Sequence, residues 1–300
     1  MNTRWSTEFW HIAAVGRLLF IVSADCTASG SDNSIRTGYS SKCFFDNDIK
    51  DVKVAIGLWS KELASHFDLL ETVTIYDDIR AMGRDFSANR IDAAVLTTPE
   101  YFTMEKQFQG PLAFARLRAG KKAERLVVLA RVDKGYKDLS ALRNKRLVYV
   151  KYDDLAMVYL NYLLLKKNMP ASDKFFSSMQ AKQKPINLIH AVYFDQADVC
   201  VTTERAFQHA QEINPQIGEK LKIMSLSLEL VMGLLIIRKG YDETNRRRVI
   251  EAMNRFEEYP RSKQMLTMLQ MEGVAVLNEE DLTETRRFFQ EYFRLKQGKQ

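Results

Sequence analysis

The sequence predicts an α/β protein with two lobes, in which helices flank a mainly parallel sheet in each lobe. Short apolar runs alternate with helical patterns through residues 52–102, and again from residue 126 onward. Such alternation builds a parallel sheet with helices on its faces. A strongly apolar run at residues 231–237 would carry the chain back into the first lobe. The length of 300 residues suits two lobes joined in this way.

The first lobe is predicted to begin with a β-α-β-α-β unit. Its strands are residues 52–58, 72–76 and 93–96, and its helices are residues 59–67 and 79–86. Ligands of open parallel sheets bind beyond the carboxyl ends of the strands, where helix N-termini present free N–H groups. The sequence therefore predicts a pocket at the ends of the first and third strands.

The second lobe is predicted from a similar order of elements. Residues 110–122 have loop character and lead into it. Its strands are predicted at residues 126–130 and 147–150, around Cys200, and at residues 221–226. Helical patterns at residues 243–259, 262–271 and 282–295 then complete the chain.

The first 28 residues have the composition of an export signal. Arg4 supplies positive charge, two short runs are apolar, and small residues follow them. Arg17 interrupts the apolar stretch, so we do not expect a membrane-spanning helix of about 20 residues. Cleavage after residue 28 is the leading interpretation. Lipid attachment at Cys26, where Asp25 fits the signal poorly, and a retained leader are the alternatives.

The same patterns divide the remaining chain. Residues 29–49 are rich in Gly, Ser, Asn and Asp and are predicted to be a linker. Residues 50–137 are predicted to form the first part of lobe 1, and residues 138–227 lobe 2. Residues 228–300 would return to lobe 1 and add the C-terminal helices.

Composition excludes several classes of function. Hydrophobic residues make up 46% and charged residues 27% of the chain, as in ordinary globular proteins. The net charge of +6 is spread along the sequence, so we expect no nucleic-acid partner. The three cysteines lack the paired spacing of a metal or redox site, so we expect no metal and no cofactor.

Several short motifs occur in an order that resembles a known family. Residues 133–150 contain a turn, Lys-Asp-Leu, a leucine three residues on, a basic turn and a strand. Residues 76–78, 90–94 and 99–101 match first-lobe motifs, and residues 196–201 match a second-lobe strand. The chain resembles the phosphonate-binding family of ABC-transporter substrate-binding proteins. The resemblance implies the two-lobed type 2 periplasmic-binding fold, with crossing strands at a hinge, and a periplasmic location.

A cleft between two hinged lobes would place the ends of the strands around a small ligand. Hydroxyl groups and helix N-termini suit an oxyanion, a lysine adds positive charge, and aromatic rings can stack on a ligand. Several of these hydroxyl and carboxylate groups are also good helix caps, which is the alternative interpretation. The candidate ligand-binding residues are Trp59, Ser60, Thr97, Thr98, Tyr101, Lys151, Tyr152, Asp153, Asp154, Thr202 and Thr203.

The chain departs from the family in the loop after the first strand of lobe 2. The family carries Ser-Thr-Ser-Gly there, whereas this chain has Lys151, Tyr152, Asp153 and Asp154. The family's histidine at the start of the following helix also has no counterpart. Two carboxylates would repel a dianion at close range. We therefore expect the fold, but not phosphonate, to be shared, and a ligand with a cationic or hydroxyl-rich part fits at least as well.

The leading hypothesis is an exported, monomeric solute-binding protein. It would capture a small ligand by lobe closure and deliver it to a membrane permease or a sensor. A second hypothesis is an interaction module that partners a membrane signalling protein. An enzyme on the same fold is disfavoured, because the sequence lacks an ordered nucleophile, base and metal-ligand pattern.

Overall fold

The computed structural model describes residues 33–44, 48–118, 120–269 and 271–298. The predicted leader, with Cys26, lies outside the described residues. The strands are β1 Ser34–Ser40, β2 Leu70–Tyr76, β3 Ala93–Thr97, β4 Leu112–Leu117, β5 Ala123–Glu124, β6 Leu126–Arg131, β7 Arg146–Val150, β8 Ser178–Lys182, β9 Val199–Thr203, β10 Leu221–Leu226, β11 Leu230–Val231, β12 Gly233–Ile237 and β13 Gly273–Val276. The helices are α1 Ile49–Phe67, α2 Ile79–Ser87, α3 Thr98–Thr103, α4 Asp154–Lys166, α5 Ser172–Phe175, α6 Pro185–Tyr193, α7 Glu204–Ile213, α8 Gln216–Lys220, α9 Glu243–Asn254, α10 Pro260–Met268 and α11 Thr283–Gln297.

Each lobe contains one large sheet. Lobe 1 has the strand order β13-β4-β12-β3-β1-β2, with β1 parallel to β2 and β3 and β12 antiparallel to β3 and β4. Lobe 2 has the order β10-β6-β9-β7-β8, with β7 parallel to β8 and β9 and β6 antiparallel to β9 and β10. The predicted two-lobed α/β architecture is confirmed. Both sheets are mixed rather than mainly parallel, because the strands beside the crossings enter them antiparallel.

The chain crosses between the lobes twice. It leaves lobe 1 after β4 and returns after β10, and the short strands β5 and β11 pair antiparallel at the crossing. Residues 231–237, which were predicted to return to lobe 1, include β12 of the first sheet. β6 already belongs to the second sheet, so lobe 2 begins before Leu126 and not at residue 138.

Residues 52–58 are helical and do not form the predicted strand. They belong to α1, in which Val52, Ile56 and Leu63 recur at helical spacing and are buried. Val54 lies between them and is 64% exposed, as expected for the outer face of an amphipathic helix. The β-branched composition of this segment suggested a strand, but its apolar side chains follow the period of a helix.

The first strand of the β-α-β-α-β unit is β1, which lies in the segment predicted to be a linker. Its sequence carries Ser, Arg, Thr and Gly, and it pairs with β2 on one side and β3 on the other. Gly38 allows its neighbours to approach closely, since a Cβ atom there would lie 2.7 Å from Ile91 Cδ1. The position of β1 between two neighbouring strands, and not its composition, makes it a strand.

The packing joins the lobes as well as filling each of them. Helices α1, α9 and α10 cover one face of the first sheet, and α6 and α7 cover a face of the second. The largest apolar cluster runs through both lobes and includes Phe102 of α3, Leu155 of α4 and Phe289 of α11. Among the helices in the described ranges, none has the length and apolar character needed to cross a membrane.

Each lobe fixes the start of a central strand with a buried aspartate. Asp92, before β3, accepts hydrogen bonds of 2.8 Å from Arg36 Nε and Arg238 Nε. Asp198, before β9, accepts a hydrogen bond of 2.9 Å from Arg146 Nε. Both aspartates belong to the short motifs that carry the family resemblance, so these motifs have a structural role in strand placement.

Candidate functional site

The two lobes meet at the carboxyl ends of β1, β3 and β7. Lys42 follows β1 and forms an ion pair with Asp154, the first residue of α4, so the pair joins lobe 1 to lobe 2. Burial alone would lower the pKa of Lys42, but the hydrogen bond to Asp154 raises it. We call Lys42, Glu100, Arg116, Asp153 and Asp154 the junction site.

The Lys42–Asp154 ion pair is expected to hold the lobes closed while contributing little to folding stability. Its two side chains are 31% and 35% exposed. Lys42→Ala should therefore change the free energy of unfolding by less than about 1 kcal/mol. It should, however, increase the radius of gyration of the ligand-free protein in small-angle X-ray scattering.

Lys134→Ala is the matched control for this experiment. Lys134 forms an ion pair of 2.7 Å with Asp195, with exposures of 33% and 42%, but both residues lie in lobe 2. This variant should leave the radius of gyration unchanged. An equal effect of the two variants would contradict a role of Lys42 in closure.

The N-terminus of α3 is occupied by a carboxylate of the protein itself. Thr97 is the N-cap, and Glu100 accepts hydrogen bonds of 3.0 Å from Thr97 N and from Thr97 Oγ1. Ser40 Oγ, at the end of β1, donates to the other oxygen of Glu100 at 2.7 Å. A buried carboxylate thus uses the hydroxyl and amide donors that a bound anion would need at this position.

A second carboxylate occupies the N-terminus of α4. Asp153 is buried and accepts a hydrogen bond of 3.2 Å from Ala156 N. Burial raises the pKa of Asp153 to about 6, although the hydrogen bond from Ala156 and the charge of Arg116 favour ionisation. The preceding Tyr152 has a φ of 68°, a left-handed conformation that is strained for a tyrosine. Strained residues of this kind cluster at ligand clamps and switch regions.

Two arginines of β4 and its continuation reach the hinge. Arg116 and Arg118 each lie 3.9 Å from Glu124 Oε1, with side chains that are 18% and 14% exposed. No hydrogen-bond partner for Arg116 Nε or Glu124 Oε2 is present among the described residues. Buried polar atoms are almost always satisfied, so these two require a partner from outside the chain or from solvent.

A cavity of about 160 Å³ links the junction site to the interior of lobe 1. Its inner wall is apolar and lies between one face of the first sheet and helices α1, α9 and α10. The lining continues to Lys42 and Arg116 in lobe 1, and to Asp153 and Asp154 in lobe 2. The two lobes therefore enclose one space that has an apolar interior and a polar mouth.

The cavity brings together five of the eleven predicted ligand-binding residues. Thr97, Tyr152, Asp153 and Asp154 lie at its mouth. Trp59 lines it from a different direction than predicted, because it lies in α1 and not at the end of a strand. Its ring packs on Phe256, with the centroids 4.2 Å apart.

Three of the other predicted residues in lobe 1 make contacts within the protein. Ser60 Oγ donates to Glu71 Oε2 at 2.8 Å. Thr98 Oγ1 donates to the backbone oxygen of Val231 and so ties α3 to the crossing strands. Tyr101 is buried, and its hydroxyl donates to Glu105 Oε1 at 3.3 Å. None of the three lines the cavity.

The remaining three predicted residues lie in lobe 2, outside the cavity lining. Thr203 is the N-cap of α7 and accepts a hydrogen bond of 3.2 Å from Ala206 N, and Thr202 is buried beside it. The Nζ atom of Lys151 lies 4.7 Å from the centroid of the Tyr152 ring. Ligand contacts by these residues and by the other eight remain predictions.

Sequence reasoning missed Lys42, Arg116 and Arg118. Lys42 lies in the segment that was predicted to be a linker. Both arginines lie in residues 110–122, predicted to be loop, although residues 112–117 form β4. The sequence Ala-Phe-Ala-Arg-Leu-Arg after Leu112 alternates in the manner of a strand, and this signal could have placed both guanidinium groups on one face.

The lobes also touch through aromatic side chains beside the junction site. Phe102 of α3 stacks on Phe289 of α11, with ring centroids 4.6 Å apart. Phe288 of α11 packs edge-on against Tyr162 of α4 at 5.0 Å. The C-terminal helix therefore bridges a helix of each lobe.

The arrangement offers no evident metal chemistry. No group of three His, Cys, Asp or Glu side chains that could hold a metal ion occurs in the part of the chain that the structure describes. Burial raises the pKa of the Cys43 thiol, which lines the cavity, so its thiolate form is disfavoured. The site is suited to binding through hydrogen bonds and apolar contact.

Two α/β lobes, joined by crossing strands around one space with an apolar interior and a polar mouth, define the class of two-lobed binding proteins. The chain belongs to the family of periplasmic substrate-binding proteins of phosphonate ABC transporters, whose sequence model matches residues 50–282. This family consists of transport proteins rather than enzymes, and its members bind small molecules and partner a membrane permease. Comparison with curated proteins found no match.

Solved structures with the type 2 periplasmic-binding fold resemble most of the chain. A binding protein component of an ABC phosphonate transporter from Pseudomonas aeruginosa has a TM-score of 0.62 and 15% identity, covering 88% of this chain and 87% of that one. A Xanthomonas citri protein bound to ATP has a TM-score of 0.62 and 13% identity, covering 88% and 98%. PhnD1 from Prochlorococcus marinus in complex with methylphosphonate has a TM-score of 0.61 and 13% identity, covering 86% and 98%. At these identities the likeness establishes the fold.

Proposed function

We propose that the protein captures a small solute between its two lobes by hinge closure and delivers it to a membrane permease. The observation that carries the proposal is that residues of both lobes line one cavity. Lys42 and Arg116 contribute from lobe 1, and Asp153 and Asp154 from lobe 2. A ligand in such a space contacts both lobes only when they are closed, so binding favours the closed form.

The ligand differs from a phosphonate dianion. The amide and hydroxyl donors at the N-termini of α3 and α4 already bind Glu100 and Asp153. Lys42 is paired with Asp154, and no other lysine of the described residues lines the cavity. A dianion would have to displace internal carboxylates and would be repelled by them.

Methylphosphonate is therefore expected to show no binding tighter than a Kd of about 1 mM in isothermal titration calorimetry. PhnD1 from Prochlorococcus marinus, whose structure holds methylphosphonate, is the positive control for the titration. Tight binding of methylphosphonate to this protein would show that the internal carboxylates do not block the site.

Native mass spectrometry of protein purified from its own host tests the proposed function directly. A stoichiometric extra mass that is lost on denaturation would support solute capture and give the composition of the ligand. Removal and return of that ligand should expand and then compact the protein in small-angle X-ray scattering. A mass equal to that of the bare chain, with no compaction by metabolite extracts, would overturn the proposal.

A second candidate is an interaction module that partners a membrane signalling protein. The aromatic contacts of α11 with both α3 and α4 favour it, because they hold the lobes together without a ligand. If the protein is an interaction module, its radius of gyration would be the same with and without metabolite extracts. A membrane signalling protein would then co-purify with the chain, and a transport permease would not.

A further inference from the structure

The inner part of the cavity lies entirely within lobe 1. It is walled by the sheet face that carries Phe114 and by helices α1, α9 and α10, which contribute Trp59, Leu63, Ala252 and Met265. Protein interiors are close-packed, and voids larger than a water molecule are few in each domain. The whole cavity, from this interior to the mouth, measures about 160 Å³ and is therefore an exception that calls for an occupant.

The size and lining of the cavity indicate what could occupy it. Apolar cavities of about 150 Å³ stay dry and bind molecules the size of benzene. The present cavity, at about 160 Å³, has room for one six-membered ring or a chain of about six carbons. Because its wall is mainly apolar, transfer of a charged group into its interior would be costly.

One buried hydrogen-bond donor at the mouth of the cavity, the Nε atom of Arg116, lacks an acceptor among the described residues. Arg116 is 18% exposed, and its contact with Glu124 Oε1 is 3.9 Å long, beyond hydrogen-bonding distance. Its Nε atom has no acceptor within the described residues. By contrast Glu71, which also lines the cavity, already accepts hydrogen bonds from Tyr39 and Ser60.

The charges at the mouth offset one another. Lys42 is paired with Asp154. Glu124 lies between Arg116 and Arg118, and Asp153 is close enough for the Arg116 charge to affect its ionisation. Glu100 is held by three hydrogen bonds from Ser40 and Thr97. Among these described groups each cation has a carboxylate neighbour, and each carboxylate has a cation or hydrogen-bond donors, so a charged ligand of either sign would have to compete with an existing partner.

We propose that the ligand is a small uncharged amphiphile, an alcohol or carbonyl compound with a compact apolar group. Its apolar part fills the interior of the cavity, and its oxygen accepts a hydrogen bond from Arg116 at the mouth, where Asp153 and Asp154 of lobe 2 also line the space. This inference rests on the proposed function and adds the chemical class of the solute. It also explains why the buried Nε atom of Arg116 has no acceptor among the described residues.

Three probes of similar size test the hydroxyl group and the charge separately: benzyl alcohol, toluene and benzoate. Binding is measured by the change in tryptophan fluorescence, because Trp59 lines the cavity, and by calorimetry. Benzyl alcohol should bind at least tenfold more tightly than toluene, since it adds the hydrogen bond to Arg116, and at least tenfold more tightly than benzoate. Absence of benzyl alcohol binding, or a preference for benzoate, would overturn the proposal.

Two kinds of variant assign the binding to the cavity. Ala252→Leu places a larger side chain at a buried position of the wall, so it should weaken benzyl alcohol and toluene by tenfold or more. Val249→Phe, also in the wall, provides an independent test, and circular dichroism and thermal melting establish that each variant is folded. Unchanged affinity in a folded cavity variant would overturn the proposal.

Arg116→Met tests the head-group contact separately. The variant should lower the affinity for benzyl alcohol to that for toluene, and it should leave the affinity for toluene unchanged. Arg125→Met is the control, because Arg125 pairs with Glu229 near the hinge and does not line the cavity. An unchanged affinity for benzyl alcohol, or an equal loss of affinity for benzyl alcohol and toluene, would contradict a hydrogen bond from Arg116.

The native mass experiment distinguishes failure of this inference from failure of the proposed function. A bound host solute that benzyl alcohol cannot displace, and that Ala252→Leu still binds, would overturn the inference while solute capture stands. Benzyl alcohol binding to the cavity with no compaction of the lobes would support the cavity site and count against capture by closure.

Discussion

Replacing Asp92 by asparagine is expected to lower the free energy of unfolding by about 3 kcal/mol, because it removes the anion of a buried ionic network. The Asp92 side chain is 4% exposed and receives hydrogen bonds from both Arg36 and Arg238. The network joins β1, the start of β3 and the end of β12, so it fixes three neighbouring strands of the first sheet. Urea denaturation of wild type and variant measures the loss.

The pH dependence of this loss has a definite sign. Burial alone would raise the pKa of Asp92, but the hydrogen bonds from Arg36 and Arg238 hold it below its ordinary value of 3.8. The stabilisation is therefore fully present above about pH 4 and is lost as the pH falls through the lower, folded-state pKa. The gap between wild type and Asp92→Asn should narrow over that acidic range.

Two further variants serve as comparisons for Asp92→Asn. Asp198→Asn removes the corresponding carboxylate of lobe 2 and should also destabilise, since Asp198 is buried and bound to Arg146. Glu251→Gln breaks an exposed ion pair with Arg255 and should leave stability almost unchanged. Equal effects of Asp92→Asn and Glu251→Gln would contradict a structural role of the buried network.

Sequence periodicity predicted the fold wherever burial follows a regular pattern. Strands β6 and β9 of the second lobe and the return strand β12 carry continuous apolar runs, because both of their faces are covered. The prediction was wrong for β1, since a central strand with Ser, Arg, Thr and Gly is buried by its neighbours in the sheet. It was also wrong for residues 52–58, where β-branched residues occupy a helix that is stabilised by tertiary packing.

The candidate site could be predicted only in part. The ends of β3 and β7 follow from strand order, so Thr97, Tyr152, Asp153 and Asp154 could be placed at the mouth of the cavity. The cavity itself depends on how α1, α9 and α10 pack on a sheet, and local sequence carries no signal for an unfilled space. Lys42 and Arg116 lay in segments predicted to be linker and loop, where side-chain direction could not be assigned.

Asparagine at position 153 is expected to stabilise the protein at pH 7.5 by about 2 to 3 kcal/mol. Burial raises the pKa of Asp153 to about 6 from its ordinary value of 3.8. Each pH unit of such a difference corresponds to about 1.36 kcal/mol. The folded state therefore holds this proton more strongly than the unfolded state, and wild-type stability falls as the pH rises from about 4 to about 6. Asparagine keeps the helix cap, because it is as good an N-cap as aspartate.

Urea denaturation at several pH values tests this effect. Wild type and Asp153→Asn should be equally stable near pH 4 and should separate as the pH rises. Asp138→Asn is the control, because Asp138 is an exposed cap whose pKa is lowered by its hydrogen bonds with Ser140. That variant should bring no gain in stability at pH 7.5. A loss of stability in Asp153→Asn at neutral pH would mean that the Asp153 carboxylate is more favourably paired than its burial implies.

Asp153→Asn should also change which probes bind at the junction site. It removes a negative charge close to Arg116, so the charges at the mouth of the cavity no longer offset one another. The preference for benzyl alcohol over benzoate should therefore narrow in this variant, while toluene affinity stays the same. In that case Asp153 lowers the stability of the protein but rejects anionic ligands, and it is retained for specificity. Binding sites commonly carry charged groups that reduce folding stability. If the preference for benzyl alcohol over benzoate is unchanged, Asp153 has no role in ligand selection and serves only as a helix cap.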